Sequence, residues 1–299
     1  MNKNSHEFSK FHPVTNLIYF ILGLISIFYI ANPVIFVFAA VVLILYNIIA
    51  DKAKSLKSNW VVYVLVMATV CVLNPLIVHR GQVILFYLFD NPITLESMIF
   101  GVKTALMLLS MFLMFHIFNI IINADKFLYL FSRFAKQTAF VTMLGLRFIP
   151  TLRRRITEIS QVSQTSQASG KLSGKLNSAS NTLMTLIIWS LEDAVVTAQS
   201  MRARGYGLKN TERSFYFQYK FKKCDVFFIL VNILFFALFL LTKSDFQIYP
   251  TFSGEFIDYK DIKFIGNILC LAIQLALPII VQIINHIKWS FIYHAHNRI

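Results

Sequence analysis

The chain reads as an all-α integral membrane protein, with about six transmembrane helices and a cytoplasmic block of long amphipathic helices. Three observations predict this. Of the 299 residues 57% are hydrophobic and only 14% charged, and the mean hydropathy is +0.64, far too apolar for a soluble globular protein. The apolar residues fall into six runs near the length of a bilayer-crossing helix, roughly 17–25 residues. Between the fourth and fifth runs the pattern changes to basic and helically periodic. The net charge of +14 lies beside and between the apolar runs, where cytoplasmic loops and anionic lipid headgroups require it. Membrane lipids are therefore expected partners, and nucleic acid is not.

The six spans fall at about 14–31, 33–50, 60–76, 97–122, 224–242 and 264–287. The run Leu17 to Ile30 could imitate a signal peptide, but a second run follows from Val34 to Ala50 without a convincing cleavage site. A retained pair is the expectation, broken at Asn32-Pro33 into a tight hairpin. Cys71, Cys224 and Cys270 are scattered with no metal or disulfide spacing, and read as packing residues.

Charge orients the spans. Lys52, Lys54 and Lys57 follow the second run, and Arg153-Arg154-Arg155, Arg202, Arg204, Lys222 and Lys223 belong to the block between the fourth and fifth. The opposite side carries Arg80, Lys243, Lys260 and Lys263 among Asp90, Glu96, Asp245, Glu255, Asp258 and Asp261. The positive-inside rule puts both termini and the block in the cytoplasm of a multi-pass cell-membrane protein. The expected organisation is a transmembrane region at 1–122, a cytoplasmic helical domain at 123–223 and a second transmembrane region at 224–299.

Within the block, Ala124, Phe127, Leu128, Phe131 and Phe134 give a greasy face beside Lys126, Arg133 and Lys136, suiting a helix in the headgroup plane. Leu152, Ile156 and Ile159 follow Met143–Pro150, and the polar run Ser160 to Ser169 leads away from the membrane. Gly170 and Gly174 mark a break, with small capping residues from Asn177 to Asn181. A second helix shows Leu183, Ile187, Leu191, Ala194, Ala198 and Met201 on one stripe and ends at Gly205, a left-handed cap position. From 183 to 204 it is about 33 Å long at 1.5 Å per residue. Arg202 and Arg204 at its end favour the helix dipole by roughly 0.3–1 kcal/mol each. They also make an exposed cationic tip.

Other polar groups support blander readings. Lys103, His116 and Asn119 lie in the fourth span, where packing or interfacial roles outweigh a substrate route. His79-Arg80-Gly81 with Asp90 and Glu96 reads as a capped loop, and His286, His294 and His296 as part of a basic interfacial tail. No GxxxxGK[ST] phosphate loop occurs, so nucleotide chemistry is not expected in this chain. No catalytic residue, metal site or cofactor is predicted, and the chain is expected not to be an enzyme. The rival class is an integral membrane transferase acting on a prenyl or phospholipid substrate, which needs clustered aspartates to hold magnesium and diphosphate. On the cytoplasmic side Glu192-Asp193 is the only acidic pair. A secondary carrier predicts internal repeats, and none is visible.

A series of short segments carries a resemblance. His12-Pro13, Asn32-Pro33, Asn74-Pro75-Leu76, His79-Arg80-Gly81 and Pro92-Ile93-Thr94-Leu95-Glu96 come first. Ala124-Asp125-Lys126, Leu144-Gly145-Leu146-Arg147-Phe148-Ile149-Pro150 and Met201-Arg202-Ala203-Arg204-Gly205-Tyr206 follow. In this order and spacing the chain resembles the transmembrane (T) component of energy-coupling factor (ECF) transporters, the family that includes the cobalt-transport T proteins, over most of residues 10–207. The resemblance implies an energy-coupling subunit of an ABC-type importer for a vitamin or metal ion. Its implied partners are two ABC-type ATPase subunits and a small substrate-binding (S) membrane protein. In such proteins two cytoplasmic helices each end in an Ala-Arg-Gly-like motif that docks on an ATPase. Here the second motif is intact at Ala203-Arg204-Gly205, beside Arg202. The first falls at Ala168-Ser169-Gly170, where Ser169 replaces the arginine. The resemblance therefore implies unequal grip on the two ATPases.

Overall fold

The computed structural model describes residues 7–30, 32–51, 54–78, 84–88, 91–132, 134–166, 172–208, 219–242 and 262–296. After a short 3-10 turn at Glu7–Lys10 come α1 (Pro13–Tyr29), α2 (Pro33–Asp51) and α3 (Lys54–Ile77). A two-stranded hairpin, β1 (Ile84–Leu88) and β2 (Asn91–Thr94), leads directly into α4 (Leu95–Ile121). Then follow α5 (Ala124–Ser132), α6 (Lys136–Ser166), α7 (Leu172–Ala203), α8 (Lys223–Leu241) and α9 (Ile262–His296). The protein is all-α apart from that hairpin among the described residues.

Five helical segments are long and apolar enough to cross a membrane: Pro33–Ala50, Lys57–Ile77, Leu95–Ile121, Lys223–Leu241 and Ile265–Ile284. The sixth expected span is α1, apolar but only 17 residues long, about 25 Å at 1.5 Å per residue. The chain divides into two compact units, residues 1–127 with 219–299, and residues 128–218.

In the first unit α4 is central, packing on α1, α2 and α3, while α9 packs on α2 and α8, and α8 packs on α1. Phe20, Phe36, Leu43, Leu113, Met114 and Leu275 are among its fully buried side chains. Gly23 sets the approach of α1 to α4: a Cβ there would stand 2.5 Å from Met114 Cε. Polar side chains pin the helices inside the bundle, where no water competes. Tyr19 donates its hydroxyl to the Leu275 carbonyl at 3.0 Å, Ser26 to Gln274 Oε1 at 3.0 Å, and Asn47 its amide to the Leu113 carbonyl at 3.3 Å.

The break at Asn32-Pro33 is where the sequence places it. Pro33 opens α2 and the Asn32 side chain accepts the Val34 amide at 3.0 Å. The two helices are less of a pair than expected, because α1 packs chiefly on α8 and α4, and α2 on α4 and α9.

A polar joint fixes the start of α1 to the start of α8. Pro13 at the first helical position lacks an amide, and His12 Nδ1 accepts the Val14 amide at 3.2 Å. The buried Asp225 carboxylate receives the His12 amide at 3.0 Å and the Lys222 amide at 2.8 Å. Burial holds the His12 imidazole below its ordinary pKa, against the opposing pull of the Asp225 charge and a hydrogen bond the ring donates to the Tyr219 backbone.

Lys126 corrects an expectation. The sequence placed it beside a headgroup-facing helix, yet it is buried, with Nζ bonded to the Ser9 carbonyl, to Ser9 Oγ at 2.7 Å and to the Ile121 carbonyl at 3.0 Å. It ties the end of α4 to the N-terminal turn. Desolvation lowers its pKa to about 8.

The hairpin and the start of α7 also depart from the sequence reading. Strand periodicity in Val83–Phe89 was masked by its uniform apolarity. α7 begins at Leu172 and runs through Gly174 and Asn177–Asn181 without a break. A lone helical glycine costs only about 1 kcal/mol, and the 32-residue helix, about 48 Å long, absorbs it. α6 likewise continues through Pro150.

Candidate functional site

The second unit contains α6 and α7, which pack on each other. Phe140 near the start of α6 meets Tyr206 just after α7, and Arg155 farther along α6 meets Trp189 in mid-α7. The helices therefore run antiparallel. The Phe140 and Tyr206 rings stack with centroids 5.4 Å apart and planes 21° from parallel. The Arg155 guanidinium lies over the Trp189 ring at 4.5 Å and bonds Glu158 at 3.2 Å, while Arg154 reaches the same carboxylate at 3.0 Å.

The tip itself is closed by backbone. The Gly205 amide donates to the Arg202 carbonyl at 3.0 Å and the Tyr206 amide to the Met201 carbonyl at 3.0 Å. This nested pair is a Schellman termination, which needs a left-handed residue just past the cap. Gly205 supplies it with φ +86°, the conformation the sequence anticipated. Arg204 is the cap residue, its amide shared between the Ser200 and Met201 carbonyls at 3.1 and 3.2 Å. Arg202, Ala203 and Arg204 are exposed. The result is a backbone-fixed corner presenting two guanidinium groups around one small residue. Arginine there offers a planar multi-donor fork.

The stripe read from sequence points away from α6. Leu183, Ile187, Leu191, Ala194 and Ala198 are exposed, with only Met201 half-buried. The half-buried side of α7 is instead Leu186, Trp189, Asp193, Thr197 and Met201, rotated by about 100° per residue of offset. Met184, Ile188, Val195 and Val196 widen the exposed apolar surface. Trp189 on Arg155 fixes this rotation, a contact with no periodic signal to reveal it.

The other half of the predicted site, Ala168, Ser169 and Gly170, lies outside the described residues, as do His79-Arg80-Gly81 and Asp90. The side chains of His286, His294 and His296 lie outside them too. In α4, Asn119 spends its amide on the Phe115 carbonyl at 3.1 Å, and Lys103 Nζ sits 5.8 Å from the Phe100 ring. Neither is drawn to His116. Among the described residues no three His, Cys, Asp or Glu side chains gather as metal ligands would.

The sequence model of the CbiQ family, described as cobalt transport protein, matches residues 7–217. No curated protein matches the chain. The family match spans well over half of the chain. The chain belongs to this family of membrane transport components.

Proposed function

We propose that this member of the cobalt transport protein family is the energy-coupling subunit of an ECF-type ABC importer. It would transmit the ATP-driven motion of two cytoplasmic ATPase subunits to a small substrate-binding membrane protein that carries a vitamin or metal ion. Residues 123–223 form the cytoplasmic coupling domain between transmembrane regions at 1–122 and 224–299, with both termini in the cytoplasm. Arg202, Ala203, Arg204 and Gly205 dock one ATPase, and Ala168, Ser169 and Gly170 the other.

The observation that carries this reading is the tip of α7. Exposed arginines are common, but these sit on a corner held by two nested backbone hydrogen bonds and an aromatic stack. Such a corner loses little freedom on docking, so more of the contact energy appears as affinity. The long hairpin behind it is a lever, and its apolar outer face suits a hydrophobic partner. Charge-assisted hydrogen bonds are worth about 1.5–3 kcal/mol against roughly 0.5–1.5 for neutral ones. The Arg204 end should therefore bind more tightly than the Ser169 end.

Affinity purification from membranes in mild detergent tests the assignment. The wild-type chain should bring down ATPase subunits and a small hydrophobic protein, and Arg204→Ala should weaken ATPase retention by roughly 10- to 150-fold. A homo-oligomer with enzymatic turnover and no ATPase would contradict it.

A further inference from the structure

We propose that the β1–β2 hairpin is a membrane-interface anchor, lying in the headgroup and upper acyl region of the leaflet at the end of the bundle where α3 stops and α4 starts. The inference is independent of ATPase coupling.

The register divides the hairpin into two faces. Phe86 pairs with Ile93 and Tyr87 with Pro92, and residues directly opposite share a face while neighbours alternate. Ile93 is turned inward: it is buried, and β2 packs on α3 and α4. Thr94, its neighbour on the other face, is buried as the cap of α4. Tyr87, on the opposite face of β1 from the partner of Ile93, is turned away. Tyr87 is 67% exposed, and Ile84 and Leu85, beside the register shift between Ile84 and Phe86, are 47% and 48% exposed. This is apolar and aromatic surface that water would not favour.

The medium beside it follows from the attached helices. β2 passes into α4 with no intervening residue, and Thr94 caps that helix by accepting the Ser97 amide at 3.3 Å. α4 has 27 residues, about 40 Å, the thickness of a bilayer including its headgroups. Its first residue therefore sits at headgroup level, and the hairpin begins there. α3, against which β2 packs, is the least enclosed span, with 6% of its apolar window buried and Leu73, Leu76 and Ile77 exposed at its end. The lipid-facing surface of α3 thus continues onto the hairpin. Tyrosine is enriched at this depth because its ring is apolar and its hydroxyl reaches water.

Spin-label depth measurement on the full chain in phosphatidylethanolamine/phosphatidylglycerol liposomes tests the proposal. Tyr87→Cys and Leu85→Cys would be labelled separately after Cys71, Cys224 and Cys270 are changed to serine. Collision with oxygen should exceed collision with an aqueous nickel chelate at both sites, at a depth about 5–10 Å into the headgroup–acyl boundary. Nickel-dominated access would overturn the anchor. If the cysteine-free chain does not fold, benzophenone at position 87 in the otherwise native chain replaces the label. Lipid adducts then support the proposal. Adducts to another protein, or no adduct, overturn it.

Discussion

Tyr206 stacks on Phe140 at 5.4 Å while its backbone amide is held by the Met201 carbonyl at 3.0 Å. One residue thus fixes both the end of α7 and its contact with the first turns of α6. The arginine corner is rigid for that reason, and its predicted sensitivity to substitution follows from the same contacts.

Gly205→Ala should loosen the corner without touching an arginine. At φ +86° an L side chain is strained by about 1–2 kcal/mol, and its Cβ would meet Leu208 Cδ1 at 3.2 Å. Hydrogen exchange at the Tyr206 amide should lose roughly 5- to 30-fold protection, with a parallel loss of ATPase retention. Unchanged exchange would show that the Schellman bonds do not hold the tip.

Tyr206→Ala should weaken the tip and Tyr206→Phe should leave it nearly intact, because the ring makes the contact with Phe140. Aromatic pairs contribute about 0.5–1.5 kcal/mol beyond area burial. Equal losses in the two variants, read by thermal unfolding and by exchange at the α7 end, would point to the hydroxyl instead.

Acid should attack the joint between α1 and α8. His12 Nδ1 can accept the Val14 amide only when unprotonated. Its pKa is depressed in the fold by burial, so its contribution is complete above the ordinary histidine range near 6.5 and is lost as pH falls through the lower folded value. His12→Asn keeps a capping acceptor, an amide oxygen in place of Nδ1, without a titration. Its unfolding temperature in detergent should vary less than the wild type's below about pH 6.5.

Lys126 gives an effect of the same sign in an alkaline window. Its folded pKa of about 8 lies below its ordinary 10.5, so the unfolded chain binds more protons between those values and stability rises with pH across them. Lys126→Met should abolish that rise. It should also cost about 1–3 kcal/mol at neutral pH, because the Ser9 and Ile121 carbonyls lose their donor. A wild-type slope retained in the variant would assign the effect to another group.

The spans and the left-handed glycine were legible in the sequence because each leaves a local signature: apolar length, the Asn32-Pro33 break, and Gly205 after a helical stripe. What escaped depends on contacts distant in sequence. Asp225 carries no local signal, yet it holds the His12 amide across more than two hundred residues of chain. Lys126 looked like a headgroup cation, but three oxygen acceptors draw it inward. Which side of α7 meets α6 was not legible, because Trp189 packs through its ring on Arg155, and an apolar stripe does not say which side of a helix a neighbour covers. The β-hairpin was hidden because a uniformly apolar stretch has no period.

The most direct test of the central claim is cross-linking from the corner itself. Ala203→Cys, in the chain with Cys71, Cys224 and Cys270 replaced by serine, would carry a short bismaleimide in membranes of cells expressing the whole transporter. The account predicts one dominant adduct, to an ATPase subunit, formed from the cytoplasmic side. Labelling of position 203 from the outer face, or burial in lipid with no ATPase adduct, would contradict it.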